Sequence, residues 1–139
     1  IAGEGELKDE LKNFSHELNI ADDVVFLGHV EDMNAFMSSI DIFVFSSKFE
    51  GSANTLIETL YYQKPIVAFD VSSNPEIVID GVTGKLARAF DVEDLTLKVK
   101  ELISSKEDQQ KYVANGLKLL NDRFDTGKNL QLLQNILAK

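Results

Sequence analysis

The chain lacks several features that would place it in familiar classes of protein. Its 139 residues include no cysteine, which excludes disulfide bonds and zinc sites built from thiolates. No apolar run approaches the roughly 20 residues that a transmembrane helix needs, and no stretch near the start resembles a signal peptide. Basic residues are few: 14 Lys and Arg against 23 Asp and Glu give a formal net charge of -9. A surface of this charge would repel a phosphate backbone, so we expect no nucleic-acid partner. Because no long apolar run is present, we also expect no transmembrane segment.

What is present suits one compact domain. The length and a hydrophobic content of 44% are enough for a sizeable core. The chain opens on Ile1-Ala2-Gly3 without an initiator methionine, as if cut at the end of a strand. We interpret residues 1–139 as a single domain truncated at its N-terminus.

Apolar residues recur along the chain in two patterns. Segments 7–18, 33–40 and 54–63 carry them at helical spacing. Between these helices, short continuous apolar runs at 24–27, 42–45 and 65–69 are typical of strands buried on both faces. This alternation predicts an α/β fold with a Rossmann-like, doubly wound parallel sheet.

The remaining sequence predicts shorter elements and then helices. Asn74-Pro75-Glu76 is typical of the start of a short helix, residues 80–84 are rich in turn formers, and residues 85–88 suit one more strand. From Asp91 onward we expect three C-terminal helices, the last of which carries Leu130, Leu133 and Leu137.

The stretch FEGSANTLIE, residues 49–58, allows two interpretations. It follows a predicted strand and leads into a helix N-terminus, where backbone N–H groups and the helix dipole favour an anion such as a phosphate. However, Thr55-Leu56-Ile57-Glu58 also matches a capping box, in which the threonine and glutamate side chains only satisfy backbone amides. Spacing alone leaves both interpretations open, and Glu50 alone could be a solvated loop carboxylate.

A wider set of motifs adds to this pattern. Residues 46–86 closely resemble the donor-nucleotide-binding, C-terminal half of retaining GT-B glycosyltransferases of the glycosyl transferases group 1 type, with a glutamate pair that is here Glu50 and Glu58. The segments IAGEGEL, VVFLGHV and SSIDIFVFSS match the same family in its usual order and extend the resemblance over most of the chain. The resemblance implies the C-terminal half of a GT-B fold.

The resemblance also implies roles for particular residues. Glu58 is expected to hold the ribose hydroxyls of a nucleotide, and Glu50 to face the transferred sugar as the catalytic carboxylate. Backbone amides near the start of the helix would hold the diphosphate, and a loop nearer the N-terminus would lie beside the base. The residues implied are Gly51, Ser52, Asn54 and Thr55 for the diphosphate and Gly28, His29 and Val30 for the base.

The resemblance implies chemistry and partners as well. A nucleoside diphosphate sugar would be the donor substrate, with no cofactor and no metal, and the sequence contains no Asp-x-Asp pair. The acceptor, a glycan or a lipid-linked glycan, would be bound by an N-terminal domain that lies outside this sequence, so we expect no transfer by the chain alone. We expect the longer parent enzyme to be cytoplasmic. An alternative expectation is that it associates peripherally with the inner face of the membrane. The sugar, the base, the acceptor and the oligomeric state are not specified by these residues.

Three alternatives stay open from the sequence. They are a GT-B nucleotide-sugar epimerase, a non-catalytic nucleotide-binding or scaffold domain, and an NAD-binding module, the last disfavoured because Gly3 and Gly5 lack the third glycine of that fingerprint. Two departures from the family pattern also have structural consequences. Tyr61-Tyr62-Gln63 stands where a helix usually ends in glycine, so we expect this end to be shaped differently. Ser72-Ser73 replaces a glycine pair, which puts the flexibility of that loop in doubt.

Overall fold

The computed structural model describes residues 1–49 and 54–124. Glu50, Gly51, Ser52 and the third predicted C-terminal helix therefore lie outside the described residues. The chain forms two compact units, residues 1–38 and 39–139. Among the described residues, none of the helices is long and apolar enough to span a bilayer.

The first unit is built mainly from helices. Helix α1 runs from Lys8 to Glu17, a short 3₁₀ helix covers Ala21–Asp23, and α2 covers Met33–Ser39. Both α-helices were predicted by their periodicity. Helix α1 ends where Asn19 adopts the left-handed conformation, with φ of 56°, which asparagine tolerates better than most residues.

The prediction of a strand at residues 24–27 is wrong. The segment is extended, but its pairing with residues 1–3 consists of isolated bridges, of which Gly3 N to Gly28 O at 2.7 Å is one bond. Its side chains are not buried on two faces either, since Val25 is 64% and Leu27 is 49% exposed. Gly3 and Gly28 both have positive φ, which turns the backbone out of the extended conformation and keeps the pairing short.

The second unit contains a parallel three-stranded sheet in the order β1-β2-β3. Its strands and helices alternate along the chain, which confirms the predicted α/β class. Strands β2 and β3 appear where the sequence predicts them, and β1 is the second of the predicted strands. The elements are β1 Phe43–Phe45, α3 Asn54–Tyr61, β2 Ile66–Phe69, α4 Asn74–Ile77, β3 Lys85–Ala87, α5 Val92–Ser104 and α6 Lys106–Arg123.

Helices cover both faces of the central strand β2, whose four residues are all buried. Ile66 and Ala68 face a core shared with Leu56 and Leu60 of α3. Val67 points the opposite way, because side chains alternate along a strand, and packs with residues of α5 and α6. The sheet is therefore covered by helices on both faces, as a doubly wound fold requires.

The C-terminal end of α3 corrects one expectation. Gln63 adopts the left-handed conformation with φ of 55°. Its N–H donates to Leu60 O at 3.0 Å, and Lys64 N–H donates to Thr59 O at 3.2 Å. These two bonds form a Schellman motif, so the helix ends in the shape that glycine usually provides although glutamine stands there.

Candidate functional site at the carboxyl edge of the sheet

The candidate site is built on the edge where all three strands end. Because the strands are parallel, the segments that follow them emerge at one edge, which is where ligands of open α/β sheets bind. After β1 the chain leads into α3, after β2 residues 70–73 lead into α4, and after β3 residues 88–91 lead into α5.

Helix α3 presents a polar face at its N-terminal half. Leu56, Thr59 and Leu60 are buried in the core, whereas Asn54 and Glu58 are exposed. Asn54 and Glu58 are four residues apart, so they lie on the same exposed face of the helix. Two of the predicted binding residues therefore lie together beside the backbone amides of the helix start, where the helix dipole favours negative charge.

The capping-box interpretation does not fit this helix. Helix α3 already begins at Asn54, so Thr55 occupies a helical position, and its carbonyl accepts a bond from Thr59 Oγ1 at 2.6 Å. Within residues 1–49 and 54–124, the exposed Glu58 carboxylate has no hydrogen-bond or ion-pair partner. Its position on the helix is thus not explained by capping.

The residues predicted to lie beside the base, Gly28, His29 and Val30, are in the first unit. Gly28 is buried with φ of 69°, and a Cβ at this position would lie 2.9 Å from Glu4 Oε1. His29 is exposed and Val30 is half-buried. Glycine at residue 28 is therefore accounted for by backbone geometry within this unit.

The loop after β2 is more tightly organised than its sequence indicates. Ser72 adopts the left-handed conformation with φ of 49°. Asn74, which is fully buried, donates from Nδ2 to Phe69 O at 3.0 Å. Among the described residues, its buried Oδ1 has no hydrogen-bond partner. Ser72 therefore adopts a conformation that glycine would favour, and the loop is held in a strained arrangement.

The loop after β3 carries a second strained residue that sequence analysis missed. Phe90 has φ of 61°, and the residue is 58% exposed. The N–H of Asp91 donates to Arg88 O at 3.1 Å and closes a turn in which Phe90 holds the third position, where positive φ demands glycine or asparagine. A bulky aromatic residue is unusual at this position of a turn, so the strain becomes visible only once the structure shows which residue holds the third position.

Charges around this turn are predominantly negative. The Arg88 guanidinium lies 2.9 Å from Asp91 Oδ2 and 3.5 Å from Asp94 Oδ2. The Arg88 backbone N–H also donates to Asp94 Oδ2 at 2.7 Å, and this bond is the main reason that the pKa of Asp94 is lowered. The Arg88 guanidinium is therefore paired with two carboxylates of the same segment.

Residues 1–119 match the model of the family described as glycosyl transferases group 1. The chain belongs to this family. Relatives include an uncharacterised glycosyltransferase of Methanocaldococcus jannaschii, 35% identical over 79 residues, which are 57% of the chain and 20% of the relative. Another is the N-acetylgalactosamine-N,N'-diacetylbacillosaminyl-diphospho-undecaprenol 4-alpha-N-acetylgalactosaminyltransferase of Campylobacter jejuni, 32% identical over 129 residues, 92% of the chain and 35% of the relative.

Solved structures resemble the chain along its whole length. HepE of Anabaena, in a crystal structure with UDP and glucose, aligns with a TM-score of 0.87 and 23% identity over 99% of the chain and 40% of that protein. TarM of Staphylococcus aureus aligns with a TM-score of 0.88 and 21% identity over 100% of the chain and 28% of that protein. Both are GT-B glycosyltransferases, and at these identities the likeness establishes the fold. The chain covers less than half of the length of each of these four proteins.

Proposed function

We propose that this glycosyltransferase chain binds the nucleoside diphosphate sugar donor and takes part in transferring the sugar, with retention, to a glycan or similar acceptor. The observation that carries the proposal is the Glu58 carboxylate, which is exposed on α3 and has no hydrogen-bond or ion-pair partner among the described residues. The crystal structures of HepE with UDP and with UDP-glucose support a nucleotide sugar as the donor.

The roles proposed follow from the chemistry of each group. The two oxygens of Glu58 can accept hydrogen bonds from both hydroxyls of a ribose. The backbone N–H groups in the first turn of α3 stabilise the charge that develops on the departing diphosphate. The Glu50 carboxylate assists the sugar, because cleavage of a glycosyl phosphate passes through an oxocarbenium-like state. This scheme requires no metal, so we expect EDTA to leave nucleotide affinity unchanged.

Replacing Glu58 by glutamine tests the ribose role. Glutamine keeps the shape and the helix propensity but removes the charge that strengthens the hydrogen bonds. We expect UDP binding, measured by calorimetry, to weaken by about 1 to 3 kcal/mol, the usual worth of hydrogen bonds to a charged group. Thermal stability should change little, because the carboxylate has no partner within the described residues.

A matched control is Glu107→Gln. Glu107 is also an exposed glutamate near the start of a helix, in the first turn of α6. This variant should bind UDP as the wild type does. Equal affinity of wild type and Glu58→Gln would remove Glu58 from the site.

The class of ligand is tested by titrating the wild-type chain with UDP, GDP, ADP and NAD. Preference for one nucleoside diphosphate supports the proposal. Binding of NAD alone would indicate a dinucleotide module, and no binding would favour a scaffold domain.

The acceptor and the location belong to the longer protein that the relatives represent. We propose that other parts of such a protein bind the acceptor glycan, and that it works in the cytoplasm at the inner face of the membrane. The isolated chain should then show no glycosyl transfer. Turnover of a sugar nucleotide with a simple sugar acceptor would contradict this.

A further inference from the structure

The exposed face of α3 carries an aromatic side chain beside Glu58. Tyr61 follows Glu58 by three residues, so both side chains lie on one face of the helix, with their Cβ atoms about 5 to 6 Å apart. Tyr61 is 66% exposed, and Glu58 is exposed as well. The opposite face is buried in the core through Leu56 and Leu60. Helix α3 therefore packs through one face and presents a carboxylate and an aromatic ring on the other.

The ring of Tyr61 is positioned but open. It contacts the ring of the half-buried Tyr62, with 5.4 Å between the ring centres and an angle of 81° between the ring planes. Such an edge-to-face contact leaves at least one flat face of the Tyr61 ring uncovered by Tyr62. A long side chain on a helix also leans towards the preceding turn, which here is the turn of Glu58. The ring thus leans towards the carboxylate, with a flat face available to a ligand.

The groups on this face follow the order of the groups in a nucleotide. The proposed function places the diphosphate at the first-turn amides, near Asn54, and the ribose at Glu58. The helix rises about 6 Å from Asn54 to Glu58 and about 4.5 Å more to Tyr61. In a nucleotide, the base is attached to the ribose carbon next to the one that bears the 2′-hydroxyl, whereas the phosphate is attached at the opposite end of the sugar. A nucleotide that runs along α3 therefore brings its base to Tyr61.

The chemistry of the ring suits a base better than the other parts of a nucleotide. Every nucleobase has a flat aromatic face that can stack on an aromatic side chain, whereas a ribose and a diphosphate have none. Stacking also needs no positive charge, which is scarce in a chain with 14 basic and 23 acidic residues. The neutral ring of Tyr61 thus matches the base, as the amides match the diphosphate and Glu58 matches the ribose.

We propose that Tyr61 is a base-stacking residue of the donor site: its ring lies against the flat face of the nucleobase while Glu58 holds the ribose. This inference rests on the proposed function and extends it by assigning the base to a particular side chain of α3. It does not depend on the predicted contacts of residues 28–30. Because every base has a flat face, the stack strengthens binding of a nucleoside diphosphate without selecting its base.

A base without an aromatic face tests the stack. 5,6-Dihydro-UDP keeps the hydrogen-bonding groups of uracil, but two saturated carbons make its ring non-planar. Calorimetric titration of the 139-residue chain should show tighter binding of UDP than of 5,6-dihydro-UDP. Tyr61→Ala should bind UDP about tenfold more weakly, equivalent to about 1.4 kcal/mol, and should lose this preference. Its thermal midpoint should not fall, because Tyr61 is exposed and alanine is a better helix former.

Tyr61→Phe separates the ring from the hydroxyl, and it should keep both the affinity for UDP and the preference over 5,6-dihydro-UDP. Fluorescence gives a second readout, because the chain has no tryptophan and three tyrosines. Stacking on a base quenches tyrosine emission, so UDP should dim the wild type beyond the loss that its own absorbance causes. Tyr61→Phe should remove this quenching, and the matched control Tyr62→Phe should retain it.

The proposal is overturned if Tyr61→Ala binds UDP as tightly as the wild type does, or keeps the wild-type preference for UDP over 5,6-dihydro-UDP. It is also overturned if Tyr61→Phe loses the affinity, since the hydroxyl and not the ring would then bind. If the chain binds GDP or ADP but not UDP, the variants are titrated with that nucleotide, and an unchanged affinity of Tyr61→Ala overturns the proposal. Failure of the donor role gives a different result, because Glu58→Gln would then bind the nucleotide as the wild type does. A chain that binds none of UDP, GDP and ADP would overturn both.

Discussion

Replacing Gln63 by glycine should stabilise the protein. Gln63 ends helix α3 with φ of 55°, and the two hydrogen bonds of its Schellman motif involve only backbone atoms. Glycine can make the same bonds without the contact between Cβ and the backbone that disfavours the left-handed region. The substitution thus changes the conformational cost and keeps the motif.

The size of the effect follows from two opposing contributions. A residue with a Cβ loses about 1 to 2 kcal/mol in the left-handed conformation. Glycine returns about 0.5 to 1 kcal/mol of this, because its unfolded state is more flexible. The net gain in free energy of unfolding is about 0.5 to 1 kcal/mol. With an unfolding entropy of about 2 cal/mol/K per residue, the thermal midpoint should rise by about 2 to 3 °C.

Thermal unfolding followed by circular dichroism measures this shift, and two controls isolate its cause. Gln63→Ala removes the side chain but keeps the Cβ, so its midpoint should stay close to that of the wild type. Gly81→Ala makes the opposite change, since Gly81 has φ of 71° and no atom within 4 Å of an added Cβ. It should cost about 1 kcal/mol. An equal rise for Gln63→Ala and Gln63→Gly would show that the side chain, and not the left-handed backbone, is responsible.

Two other substitutions test the packing and the electrostatics of the second unit. Gly84→Ala should cost about 1 to 3 kcal/mol in urea unfolding, more than Gly81→Ala, because its Cβ would lie 2.7 Å from Ile66 O and 2.8 Å from Val78 Cγ1; a smaller cost than that of Gly81→Ala would contradict this steric reason. Asp94→Asn should destabilise the protein at pH 7 but not in acid. The Asp94 pKa is lowered from 3.8, mainly by the Arg88 backbone N–H, so its carboxylate stabilises the fold above that value and loses this contribution as the pH falls through the lower, folded-state pKa. A difference between wild type and variant that persists in stronger acid would refute this origin.

Features that depend on neighbouring residues were predictable from the sequence. The apolar spacing of α1 and of α2, and the turn at residues 80–84, are short-range patterns that the structure reproduces. The strands at 43–45 and 66–69 were also recognisable, because a short continuous apolar run between helices is typical of a strand buried on both faces. Family membership followed from the ordered motifs.

The sequence was least informative where a longer-range contact determines the conformation. The run at 24–27 has the composition of a strand, yet a strand also needs a partner long enough to form a ladder, and here the pairing is reduced to isolated bridges. The apolar stripe of α1 was correctly assigned to one face, but its periodicity could not show that Leu7 would remain 61% exposed and Phe14 52% exposed.

At the carboxyl edge, the sequence determined which residue types follow each strand, and the tertiary structure determined what they do. Spacing could not distinguish a capping glutamate from a ligand-binding one. Helix α3 starts at Asn54, and the exposed Glu58 carboxylate has no hydrogen-bond or ion-pair partner within residues 1–49 and 54–124. Gln63, Ser72 and Phe90 hold left-handed conformations that their side chains disfavour. Local preference predicts otherwise, because it omits the packing and hydrogen bonds of the surrounding fold, whose combined free energy exceeds the cost of about 1 to 2 kcal/mol at each residue.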